Sequence, residues 1–189
     1  MAVMKIILNL LAEAHDGLVI LDGLSEPQFA QLESKFGFTF PPDVRSFLSS
    51  GVPSFVKKTN SVPAQLPAFY QTANDKWHNW HLLASDEVTV GSELDTVTKQ
   101  ILTHATPANE EVPADCKLIP VYAHRMIPSN PCQAGNPVFS MHGCYDNIIY
   151  GSNFLNYLER DHKIKVPDKL LEQHPTTMLE DIPFWPKYL

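Results

Sequence analysis

The stretch from Pro120 to Leu158 constrains the fold more than any other part of the chain. Pro-Val-Tyr-Ala-His-Arg-Met-Ile-Pro is followed by Asn-Pro-Val-Phe-Ser-Met-His and then by Asp-Asn-Ile-Ile-Tyr-Gly. Short runs of β-branched and aromatic residues, interrupted by Pro, Gly and Asn, read as two or three strands joined by tight turns, which is the pattern of antiparallel pairing. A short helix follows, capped by Ser152 or Asn153 and running to Arg160 with Phe154, Leu155 and Leu158 inward.

The residues before this stretch read as helices that cover the sheet. Met4 to His15 places Ile7, Leu8, Leu11 and Ala14 on one face, with Gly17 as a stop. Asn9 breaks the apolar run and Glu13, His15 and Asp16 follow it, so this segment reads as a helix and not as a secretion signal. Ser25 and Gln28 form a capping box ahead of Phe29, Leu32 and Phe36, and Gly37 ends that helix. Phe40-Pro41-Pro42-Asp43 then turns into a helix with Val44, Phe47 and Leu48 inward, Arg45 outward and Gly51 at its end. Residues 53–75 have loop composition, and residues 84–117 read as an insertion-like helix, from Ser92 to His104, followed by a loop. Near the end, residues 168–173 carry a short helical pattern, and 181–186 read as an extended segment packed by its aromatics.

These elements make a single α+β domain over residues 1–189, a central antiparallel sheet flanked by helices, with residues 1–19 as an N-terminal helical segment. A length of 189 residues suits one well-buried core. The formal net charge is −7, with nine Lys/Arg against fifteen Asp/Glu beyond residue 60. No basic stripe offers phosphate neutralisation, so nucleic acid is not an expected partner; a basic protein is. No apolar run reaches the ~18 residues that crossing a bilayer needs. Cys116, Cys132 and Cys144 are an odd set, spaced 16 and 12 apart, which fits a reduced cytoplasmic chain better than a disulfide framework.

The order of several motifs resembles the SUKH superfamily, the domain shared by a yeast regulator of cell-wall synthesis and many bacterial immunity proteins. The pieces are Gly23 to Gln28, Gly37 to Leu48, Trp77-His78-Asn79-Trp80, Leu118 to Arg125, Asn136 to His142, Asp146 to Gly151 and Phe184-Trp185. The resemblance implies an α+β fold acting as a protein-binding module with no chemistry of its own, such as a toxin neutraliser or a regulatory adaptor. The helix within 84–117 and the proline-rich 53–71 depart from the family pattern.

Catalytic signals are thin. There is no Gly-x-Ser-x-Gly, and His142, Cys144 and Asp146 are explained by a hairpin turn over Gly143 to Asp146 around a small buried thiol. The cysteine spacing is not that of a zinc module, and no glycine-rich loop links a strand to a helix for phosphate binding. No catalytic residue, metal or cofactor is expected. The rival is a metal-dependent or small-molecule enzyme using His124 and His142. Partner-binding candidates are Trp77, Trp80, Tyr122, His124, Arg125 and Asp146, because aromatic and Arg side chains are the commonest interface anchors. Trp77 and Trp80 are three apart, so one of them is expected in the core.

Overall fold

The computed structural model describes residues 2–55, 80, 110–122, 124–141 and 147–189. Helix α1 (Ala2–Ala14) buries Ile7, Leu8 and Leu11 on the face the sequence periodicity selects, and Met4 with them, whereas Ala14, expected on the same face, is exposed at the helix end. Gly17, at φ 79°, turns the chain into β1 (Leu18–Leu21). Helix α2 (Glu26–Phe36) starts as the capping box requires: Gln28 Oε1 accepts the Ser25 backbone N–H and hydroxyl, both at 2.9 Å. It stops at Gly37, whose left-handed backbone returns its N–H to Glu33 O. Helix α3 (Pro42–Ser50) buries Val44, Phe47 and Leu48. Arg45 is pinned rather than free: it bonds Glu33 at 2.9 Å and Glu26 at 2.5 Å, and stacks 4.2 Å over Phe29.

Strand β2 (Val52–Phe55) pairs antiparallel with β1, Leu18 opposite Phe55 and Leu21 opposite Val52. This corrects the reading of 53–75 as loop throughout and of 1–19 as helical. Each strand is only four residues long, and Pro53 masks β2 in the sequence. Among the described residues the ribbon has only these two strands, so each has an edge that need not donate and can take the proline.

The second sheet is a four-stranded antiparallel meander: β3 (Leu118–Tyr122), β4 (Arg125–Pro128), β5 (Val138–Ser140) and β6 (Ile148–Gly151), in that spatial order. Its faces are covered by different things. Ile119, Val121, Ile127 and Val138 face the core built by α1, α2, α3 and α4 (Phe154–His162). Leu118, Met126, Phe139 and Met141 face a second core closed by Ile182 and Trp185 of the C-terminal tail. Burial on both sides explains why these strands lack polar alternation.

Helix α4 is capped by Asn153, whose side chain accepts the Asn156 N–H at 2.9 Å. Close approach at its start demands Gly151, since a Cβ there would lie 2.6 Å from Tyr157 Cβ. Helix α5 (Asp168–Gln173) falls where its pattern placed it. The tail is not simply extended. It makes two 3-10 turns, Leu179–Asp181 and Trp185–Tyr188, around Phe184. At φ 69° and ψ −54°, with the Trp185 N–H donating to Pro183 O at 2.8 Å, Phe184 centres a γ-turn of the rare, strained kind. Trp185 is buried and its Nε1–H donates to Cys116 O at 2.8 Å. The expected helix at Ser92–His104 lies outside the described residues, and no described helix is long and apolar enough to cross a membrane.

Candidate functional site

A single row of the sheet carries three of the candidate residues' neighbourhood. Tyr122 pairs with Arg125, Arg125 with Ser140 and Ser140 with Ile148, so one residue from each strand lies in register across the sheet. Paired residues share a face, here the face toward α4. The β3–β4 turn between Tyr122 and Arg125 is two residues long, which fixes this row at the end of the meander.

Arg125 is the centre of the row. Its Nη1 donates to Ser140 Oγ at 2.9 Å and to His124 Nε2. Its Nε lies 3.5 Å from Asp161 Oδ2 at the end of α4, and its guanidinium stacks 3.7 Å over Tyr150. A bulge makes that stack possible: Phe139 faces Ile149 and Val138 faces Gly151, leaving Tyr150 as the extra residue of β6. The Tyr150 hydroxyl donates to Asp161 Oδ1 at 2.9 Å, and its carbonyl accepts from Arg160 at 3.1 Å. The guanidinium is thus held by ring, hydroxyl and imidazole contacts and by the charge of Asp161, while its buried Nε and the facing Asp161 Oδ2 make no hydrogen bond among the described residues.

Behind Arg125 lies a buried histidine. His162 is 4% exposed, has Tyr122 edge-on at 5.0 Å, and places Nε2 3.3 Å from Tyr157 Oη and Nδ1 3.2 Å from His15 Nε2. Burial lowers its pKa to about 4, helped by His15 and Arg125 and opposed by Asp161. Burial also pushes the Tyr157 phenol well above its ordinary value, with the Asp161 charge adding to it. Both groups are therefore neutral at pH 7. The described cysteines are not activated either. Desolvation raises Cys116, with Asp115 adding to it, and desolvation followed by the Glu33 charge raises Cys132, so both stay thiols at neutral pH.

Among the other candidates, Trp80 is a core residue, 1% exposed and edge-on to Phe40 at 5.3 Å, so it offers no surface to a partner. Trp77, Asp146 and the rival pair's His142 lie outside the described residues, as does the hairpin tip at Gly143–Asp146. Among the described residues no group of three or more His, Cys, Asp or Glu side chains could hold a metal ion. A cleft of about 400 Å³ opens elsewhere, between the α2–α3 connector and the 129–132 loop, lined by Glu33, Phe38, Thr39, Asp115, Asn130 and Cys132. Tyr150, Asp161, His162 and His15 were missed from sequence. Helix α4 continues two residues past Arg160, and those two supply the partners of Arg125 and Tyr157.

What remains open to solvent at this end is the outer edge of β6. Among the described residues it has a strand neighbour on one side only. Ile148 is 48% exposed and Ile149 42%, adjacent residues on opposite faces of the edge. No family model, no curated protein and no solved structure matches the chain.

Proposed function

We propose that this chain is a non-enzymatic protein-binding module of the SUKH kind, a toxin neutraliser or regulatory adaptor, that engages its partner with the outer edge of β6 and the adjoining Tyr122–Arg125 hairpin. The observation that carries the reading is the pair Ile148 and Ile149, two large apolar side chains left half-exposed on an edge strand. An isolated exposed apolar residue is ordinary, but one on each face of an open strand edge gives an added strand apolar cover to bury on both sides. The sheet faces are taken by the helices and the tail, which leaves the edge rather than a face for contact. Arg160 bonding to Tyr150 O narrows strand addition to the Ile148 end of β6. A net charge of −7 favours a basic partner and faster encounter with it. The thiols of Cys116 and Cys132 accord with a reducing cytoplasm.

The test is affinity capture from the native host with the wild-type chain and with the double variant Ile148→Asp/Ile149→Asp. Both side chains are about half-exposed on an edge, so the variant should stay folded at a cost of about 1–2 kcal/mol, checked by thermal melting. One stoichiometric protein retained by the wild type and lost by the variant is the expected result. Recovery of no stoichiometric partner, or equal recovery by both, overturns the proposal.

A further inference from the structure

Two imidazoles meet where α1, α4 and the β3–β4 hairpin come together. His15 follows the last residue of α1 and takes part in its final turn, its N–H donating to Leu11 O and its carbonyl accepting the Leu18 N–H. His162 is the last residue of α4. Their rings stand edge to face at 5.1 Å, with Nε2 of His15 3.2 Å from Nδ1 of His162. The opposite nitrogen of His162 faces Tyr157 Oη at 3.3 Å, and Tyr122 and Tyr157 wall the ring at 5.0 and 5.7 Å. Among the described residues the titratable and charged groups that face His162 include His15 just after α1, Tyr122 from β3, Arg125 from β4, and Tyr157 and Asp161 from α4 itself.

The contact has a definite proton capacity. An imidazole pair forms a hydrogen bond when one facing nitrogen carries a proton and the other a lone pair. If both rings become cationic, two N–H groups point at each other across 3.2 Å, with His162 buried and His15 only partly exposed to water. A proton on His162 is disfavoured by its burial and by Arg125, and further so when His15 is charged, while Asp161 acts the other way. We propose that the His15–His162 contact is an acid-opened clasp: proton uptake below neutral pH releases the last turn of α1 from α4 and the hairpin, while the sheet stays formed. The released turn carries Leu11, with Leu8 one turn before it, and both are buried, so opening the clasp uncovers apolar surface. The depressed pKa of His162 agrees with the burial and charge geometry.

The test is amide hydrogen exchange on the whole chain at about pH 7.5 and about pH 5, compared as protection factors so that the intrinsic pH dependence cancels. Protection over residues 8–18 should fall at least about tenfold and at pH 5 should lie well below that over 118–128, because the turn opens while the sheet stays formed. In His162→Phe, which fills the site and cannot take a proton, the fall over 8–18 should vanish. Equal protection of the two segments at pH 5, or a fall over 8–18 that persists in His162→Phe, overturns the clasp. Should that variant fail to fold, a proton-NMR titration of wild-type His162 decides: it should stay neutral through about pH 5 and charge as α1 loses protection, whereas an ordinary midpoint near 6.5 overturns the proposal.

Discussion

Replacing Asp43 is predicted to be among the most damaging single changes in the described residues. Its carboxylate is 5% exposed and lies in the first turn of α3. It accepts the Val44 N–H at 2.9 Å, the Gly135 N–H at 2.9 Å and pairs with His174 Nε2 at 3.1 Å. One side chain thus ties α3 to the loop before β5 and to the end of α5. Gly135 is held in place from its other side, at φ 94°, by its carbonyl accepting the Thr177 N–H at 2.8 Å. In Asp43→Ala the Gly135 N–H loses its acceptor in a buried setting, at about 1–3 kcal/mol. Loss of a carboxylate from a helix N-terminus adds up to about 1–2 kcal/mol. The sum is about 2–5 kcal/mol, a large part of the ~5–15 kcal/mol that holds a domain together. For a chain of this length that corresponds to a fall in Tm of roughly 4–20 °C. Asp43→Asn, which keeps one oxygen as acceptor, should lose about half as much. Urea unfolding and thermal melting of both variants at pH 7 measure this. A loss under about 1 kcal/mol for Asp43→Ala refutes the reasoning, because it means water or local relaxation satisfies the Gly135 donor.

Other outcomes follow from single contacts. His162 is held near 4 in the folded chain against about 6.5 unfolded, so the unfolded state binds the extra proton first; the stability it contributes is complete above pH 6.5 and is lost as pH falls toward 4. The loss attributable to it is about 3 kcal/mol, and urea midpoints across that range should flatten in His162→Gln. Trp185→Phe keeps the ring in the second core but drops the bond to Cys116 O, for an expected cost of about 1–2 kcal/mol by urea denaturation. Arg125→Lys removes the stack on Tyr150 and the fork to Ser140 and His124. It should cost about 1–3 kcal/mol and speed exchange of the 122–125 turn amides. Gly151→Ala drives a methyl onto Tyr157 and should destabilise by about 2 kcal/mol or more in thermal melts.

Local instructions were legible in the sequence, and long-range ones were not. The Ser25–Gln28 box, the Gly37 stop, the Asn153 cap and the 168–173 turn each depend on residues within four positions of one another, so their chemistry is written side by side. The antiparallel grammar of the meander is local too, because hairpin neighbours are sequence neighbours. The β1–β2 ribbon escaped because its partners lie some thirty residues apart and four-residue strands carry too little pattern. Asp43 reads as a helix-start residue, which it is. Nothing in its vicinity announces the Gly135 and His174 donors, 92 and 131 positions away. At the candidate site, Tyr122, His124 and Arg125 were found because a tight turn groups them. Their partners Tyr150 and Asp161 were not, since a bulge and two further residues of α4 decide who meets whom.

The cover on the second face of the sheet has a consequence for how this protein fails. Leu118, Met126, Phe139 and Met141 are shielded by a tail whose path turns through a strained residue, Phe184. That tail is anchored chiefly by Trp185 on Cys116 and by Glu110 with Lys187 and Tyr188. Peeling such a segment requires less than global unfolding, yet it bares the apolar side chains of strands already formed. Shelf life at high concentration is then governed by how often the tail lifts, not by the melting temperature. A substitution that tightens Ile182 to Leu189 would extend it without moving Tm in proportion.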